Sequence, residues 1–173
     1  MSAGRPESDE IPAHFVGYIG RVPESDPVAV LAAQIDVTAA LFRGLSETDA
    51  LKRYAPGKWS VKEIVGHLAD TERIMAYRAL RIARGDETPL PGFDENAYVP
   101  PAKFDARPLS DLVAELRTTR AATLALFRSF DDDAWRRRGT ASGKPVSVRA
   151  IGYMIPGHER HHEEILKARY GLQ

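Results

Sequence analysis

Apolar residues recur along this chain at intervals of three and four, in four long stretches, and no alternating series of strand period interrupts them. The clearest stretch opens at Ser60-Val61-Lys62-Glu63, the pattern of a capping box: the serine oxygen takes the Glu63 N–H and the Glu63 carboxylate returns to the Ser60 N–H. Trp59 precedes the cap, placed to staple onto Ile64. Val61, Ile64, Val65, Leu68, Met75, Ala79 and Ile82 then hold one helical face as far as Arg84-Gly85, a basic residue before a helix-ending glycine. Upstream, Asp26-Pro27 reads as a cap with proline at the first helical position, and Val28, Leu31, Ile35, Thr38 and Leu41 carry a helix over about 27–44. A third helix is predicted from a Ser110 cap, with Leu109 as its staple, to near Phe130. A fourth runs from a Ser147 cap to about Tyr170, with Pro156 expected to kink it by straining the Gly152 carbonyl.

Four such helices in 173 residues predict an all-α fold, a four-helix bundle, read as one domain over 1–173. Prolines and glycines punctuate residues 1–26, yet Phe15, Val16, Tyr18 and Ile19 are apolar enough to lie against something. An N-terminal arm is expected there, frayed over 1–10. Residues 86–108 hold five prolines, so a long loop joins the second and third helices, and Phe93, Tyr98 and Phe104 favour packing over disorder. The connection around 135–145 has room for a small hairpin, and Arg136-Arg137-Arg138 is expected to bridge to the adjacent Asp131-Asp132-Asp133.

Composition narrows the chemistry. A chain of this length buries enough surface to fold without staples, so a bound metal would serve chemistry. Lys+Arg and Asp+Glu number 24 each, leaving no net charge to concentrate on phosphates, and no nucleic-acid partner is expected. No apolar run approaches the roughly 18 residues that suggest a bilayer span, and the polar, acidic start is no signal peptide, so no membrane partner and a cytoplasmic location are expected. Cysteine is absent, which leaves His, Asp and Glu as metal ligands.

Three of the five histidines fall within Gly157–Glu164. On a helical wheel, Ile151, Met154, Ile155, Ile165 and Leu166 define the buried face, with His158 and His162 at its centre, His161 at its edge, and Glu159, Glu163 and Glu164 pointing away. Imidazoles one turn apart can share one metal ion, although the same pair also fits core histidines bonded to backbone. A third donor would come from His67, because His14 lies in the arm. On its own wheel His67 sits on a flank with Thr71 and Ile74, about 90° from the centre of its stripe.

The run Lys58-Trp59-Ser60-Val61-Lys62-Glu63-Ile64 with Gly66-His67-Leu68-Ala69-Asp70, followed by Gly157-His158-Glu159-Arg160-His161-His162, resembles the DinB/YfiT-like family of metalloenzymes. The likeness takes in nearly the whole chain, including the Tyr18-Ile19 to Pro27 entry and the Gly92-Phe93-Asp94-Glu95-Asn96 loop. It implies a four-helix bundle with a divalent metal held by His67, His158 and His162, zinc or nickel foremost, with iron, cobalt or manganese as alternatives. Three neutral imidazoles leave open positions, as a catalytic ion requires. Family members include S-transferases and isomerases that use low-molecular-weight thiols such as bacillithiol and mycothiol, and others described as metal-dependent hydrolases. The resemblance therefore implies a metal-dependent enzyme of the hydrolase or thiol S-transferase type, acting on a small-molecule substrate, and a homodimer is expected. The alternative is a metal- or ligand-binding stress-response module without turnover. Hydrolysis needs a base near the ion, and the candidates are Asp70, one turn past His67, with Asp94 and Glu95 on the long loop. Asp70 equally reads as support for the site or as a solvated charge, and the two loop acids as surface. Tyr18 and Tyr98 are candidates for the pocket wall.

Overall fold

Caps set where the helices begin. The computed structural model describes residues 4–173. After 3-10 turns at Ser8–Glu10 and Ala13–Phe15 come α1 (Val16–Ile19), α2 (Pro27–Ala40), α3 (Glu47–Ala50) and α4 (Val61–Ala83). Then follow α5 (Glu95–Ala102), α6 (Leu109–Arg128) and α7 (Asp132–Arg136), the strands β1 (Arg138–Ala141) and β2 (Lys144–Ser147), and α8 (Val148–Tyr170). Asp26 accepts the Val28 and Ala29 N–H groups at the start of α2. Ser60 and Glu63 form the reciprocal box at α4, and Ser147 accepts the Ala150 N–H at α8. Gly171 ends α8 at φ 70°, a conformation glycine adopts without a Cβ penalty. The hairpin pairs Arg138 with Ser147 and Ala141 with Lys144.

Helices α4 and α2 each pack against both α6 and α8, which closes a four-helix bundle. Its interior is divided along its length. One apolar cluster, around Phe127, Trp135, Ile151 and Tyr153, fills the hairpin end, and a second, around Val65, Leu112, Leu116 and Leu166, fills the other. Between them every long helix contributes buried polar side chains: Gln34 and Thr38 from α2, His67, Thr71 and Glu72 from α4, Thr119, Arg120 and Thr123 from α6, His158, Glu159, His162 and Glu163 from α8. This polar layer holds the candidate site. Among the described residues no helix is long and apolar enough to cross a membrane.

Four expectations change. The start of the chain is tied down from Ser8: Glu10, 2% exposed, accepts two bonds of 2.6 Å from Arg149 and one each from Ser147 and Arg138. A buried carboxylate met by two guanidiniums is not a frayed end, and residues 1–3 lie outside the described residues. The 86–108 segment is not all loop. Asp94 caps α5, its carboxylate taking the Asn96 and Ala97 N–H groups, and Pro100 and Pro101 fall in the second half of that helix, where they withdraw N–H donors just before it ends at Ala102. The cap of α6 comes from elsewhere in the chain: Glu47 accepts the Leu109 N–H at 3.0 Å, while Ser110 turns to Asp111. Of the three consecutive arginines, Arg136 alone pairs with Asp132, at 3.8 Å, whereas Arg138 reaches Asp9 and Glu10 and Arg137 the Ala83 carbonyl.

Candidate metal centre

His67 stands in the second turn of α4, and His158 and His162 on successive turns of α8, where the helices face each other. Their ring nitrogens converge: His67 Nε2 lies 3.0 Å from His158 Nε2, which lies 3.2 Å from His162 Nε2. One donor atom from each falls within 4.8 Å of the others, a group that could hold a metal ion. All three rings are buried. Burial pushes His67 down to about 4 and drives His158 and His162 well below the ordinary imidazole value, with the neighbouring histidines adding to the effect. The rings are therefore neutral at pH 7, the form that ligates metals.

The donor set fits a divalent ion. His158 Nε2 has one in-plane proton or one lone pair to share between two neighbours, so hydrogen bonding alone serves the trio poorly. A cation where the three nitrogens aim would use every lone pair. His162 Nδ1 is buried with no partner, and His67 Nδ1 has Thr71 Oγ1 at a long 3.4 Å. Three imidazoles suit zinc, nickel, cobalt or iron.

Two glycines, each preceding a histidine, let other segments close on the centre. A Cβ at Gly157 would collide with the Tyr18 carbonyl, and one at Gly66 with the Phe104 ring. With no side chain in the way, α1 lies against α8, and the Tyr18 ring stands edge-on to His158 at 5.3 Å and to His161 at 5.5 Å. Trp59 serves the site as well as the core: its ring is 4.6 Å from His67 and stacks over His162 at 6.3 Å. Its place eight residues before His67, at the helix entry, was the available signal.

A cavity of about 340 Å³ opens over the triad. Glu95 lines it, as do Tyr18, Trp59 and Thr71. The other two acids proposed as bases do not. Asp70 is half-buried beside Arg73, at 3.4 Å, with its carboxyl raised by burial. Asp94 is occupied in capping α5, and Tyr98 is exposed, packed on Phe93. Burial, then the charge of Glu95, raises the Tyr18 phenol, which keeps its proton at neutral pH.

The wheel misplaces two glutamates. Glu159 and Glu163, expected to point away, are 2% and 8% exposed, because α2 covers that side of α8 as well. Arg120 grips Glu72 through two bonds of 2.9 Å and reaches Glu159 at 2.6 Å and the Leu31 carbonyl at 2.9 Å. Thr38 Oγ1 touches Glu159 at 2.5 Å and Glu163 at 2.6 Å. Nothing in the sequence singles out Glu72 or Arg120, since their partners lie on other helices.

Comparison with known proteins bears on the fold and on the family. YfiT from Bacillus subtilis, described as a probable metal-dependent hydrolase with an unusual four-helix bundle topology, superposes with a TM-score of 0.71 at 20% identity, covering 98% of this chain and 95% of that one. The mycothiol-dependent maleylpyruvate isomerase superposes with a TM-score of 0.70 at 15% identity, over 89% of this chain and 63% of that one. At such identities these likenesses speak for the fold. A candidate metal-dependent hydrolase of Oceanobacillus iheyensis is 34% identical over 55 residues, which is 31% of this chain and 31% of that protein, so the match spans less than a third of its relative. The DinB superfamily profile matches residues 31–166, from within α2 to the end of the second apolar cluster at Leu166, and takes in all three histidines. By that match, which spans well over half of the sequence, the chain belongs to the DinB superfamily.

Proposed function

We propose that this protein is a metal-dependent enzyme, with a divalent ion held by His67, His158 and His162, that acts on a small-molecule substrate entering the cavity above them. The observation that carries the reading is the convergence of three neutral Nε2 atoms at the wall of a cavity about 340 Å³ in volume. An ion held by three neutral ligands keeps its charge and open positions, so it can polarise a carbonyl or acidify a water or thiol brought to it. The rest falls to the chain. In the ligating tautomer His67 Nδ1–H points to Thr71 Oγ1, which orients the ring. Phe15, Met75 and Met154 line the cavity and keep water from its walls. Glu95, which lines the cavity, would take the proton from an attacking water, and the Tyr18 phenol would donate to the substrate. This favours hydrolysis. Thiol transfer is the second reading: two thioethers and several aromatic rings line the cavity, and a chain without cysteine must receive its thiol with a cosubstrate.

Metal content of the purified protein against the His158→Ala/His162→Ala variant tests the centre: about one ion per chain and none, respectively, are expected, and equal contents would overturn it. Metal-loaded protein is then assayed with esters and amides, and with electrophiles plus a panel of thiols. Turnover without thiol that falls about 10²-fold in Glu95→Gln assigns hydrolysis. Turnover only with thiol assigns transfer, and tight metal binding without turnover in either panel assigns a binding module.

A further inference from the structure

The cavity has a second polar end. Arg78 lines it three turns along α4 from His67, and the residue is 3% exposed. Eleven residues separate the two, about 16 Å along the helix axis, and helical side chains lean toward the N-terminus, so Arg78 reaches back toward the histidines. Its Nη2 donates to the Pro91 carbonyl at 2.7 Å and to Ser142 Oγ at 3.1 Å, its Nη1 approaches Met75 Sδ at 3.7 Å, and its face covers Phe93 at 5.5 Å. All of these are neutral. Among the described residues no carboxylate pairs with Arg78, although the other nearly buried guanidinium, Arg120, has two. Burying a cation without a counter-ion is costly, and burial accordingly pulls the Arg78 guanidinium below its ordinary value. A structural arginine would be cheaper paired. Phe15, Met75 and Met154 also line the cavity and offer apolar surface to a hydrocarbon segment.

We propose that Arg78 receives the carboxylate of the substrate, so that the molecule turned over at the three-histidine centre is an organic monoacid with an apolar middle and its reacting group at the far end. This rests on the metal-enzyme reading above for the reacting end alone. One guanidinium balances one carboxylate, through charge-assisted hydrogen bonds from the N–H groups that Pro91 and Ser142 do not take. The anion replaces the missing counter-ion, while the bonds to Pro91 and Ser142 hold the guanidinium in place.

The test has a metal-free and a metal-loaded arm. In the first, hexanoate and hexanamide are compared for their effect on thermal unfolding of the metal-free protein. Hexanoate is expected to raise the midpoint and hexanamide to leave it unmoved, with the hexanoate shift lost in Arg78→Gln. In the second, cobalt-loaded protein is titrated with 6-mercaptohexanoate and 6-mercaptohexanol, and binding is read from the thiolate-to-cobalt absorption band. The acid should bind about tenfold tighter, the scale of one charge-assisted contact, and the preference should shrink to under about threefold in Arg78→Gln with the alcohol unaffected. Equal affinities in the native protein, or a preference undiminished in the variant, would overturn the proposal. The native comparison needs no substitution, so it decides even if Arg78→Gln fails to fold. Loss of the cobalt band with the hexanoate shift intact would sink the metal centre and leave the Arg78 site standing.

Discussion

Two polar clusters occupy the same layer of the bundle and share the same two helices, yet they differ in how their demands are met. In one, Glu72, Arg120, Glu159 and Thr38 alternate charge and partner, all within 2.5–2.9 Å, and the arginine is 1% exposed. In the other, three groups of one kind face each other, one nitrogen is left without a partner, and a cavity opens alongside. A buried cluster that satisfies itself is architecture. One that satisfies itself poorly, beside a cavity, is arranged for something that arrives.

The contrast can be broken at its strongest point first. Arg120→Met leaves Glu72 and Glu159 buried without a counter-ion, and a loss of about 3–5 kcal/mol is expected in denaturant unfolding, or on the order of 10 °C in the midpoint. His158→Ala should do the reverse: unfolding free energy of the metal-free protein within about 1 kcal/mol of native, because an ill-served polar group is removed, and metal affinity down at least about 100-fold in equilibrium dialysis. A stability loss as large as that of Arg120→Met would place the triad among the structural clusters. A third test uses pH. His67 stays neutral in the fold to about 4 but takes a proton near 6.5 when unfolded, so stability of the metal-free protein is fully present above about 6.5 and falls as the pH drops toward 4. The slope is about 1.4 kcal/mol per pH unit for each histidine so held. Metal release should follow in the same direction but lag behind, complete only well below pH 4, where His67 takes its proton in the fold as well, and an ion retained there would not be held by histidines. The smallest effect is expected of Thr71→Val, which removes a 3.4 Å contact to His67 and should weaken metal binding by no more than about tenfold.

What was legible in the sequence follows from the range of the interactions. The Ser60/Glu63 box, the Asp26 and Ser147 caps and the i, i+4 histidine pair are all local, and each stands where it was read. The Glu47 cap on α6 crosses 62 residues, and the bond from Arg120 to Glu72 crosses 48. Neither leaves a pattern in the local sequence. The wheel placed His158 and His162 inward because one face of α8 is strongly apolar, and it failed for Glu159 and Glu163 because a central helix is covered on more than one side. Of three acids offered as bases, Glu95 alone reaches the cavity. Asp94, its neighbour in sequence, is claimed by the helix start that Glu95 then follows.

The chain has two tryptophans, and the fold has divided them between these concerns. Trp135 lies 4% exposed among Phe127 and Phe130 at the hairpin end, whereas Trp59 lies tilted against His67 and stacked over His162, two of the three convergent histidines. An open-shell ion such as cobalt or nickel at the triad would quench the emission of Trp59, whose ring lies against the histidines, more than that of Trp135, while unfolding would alter both. The protein thus carries two optical channels, one for occupancy and one for integrity, and Trp59→Phe and Trp135→Phe separate them.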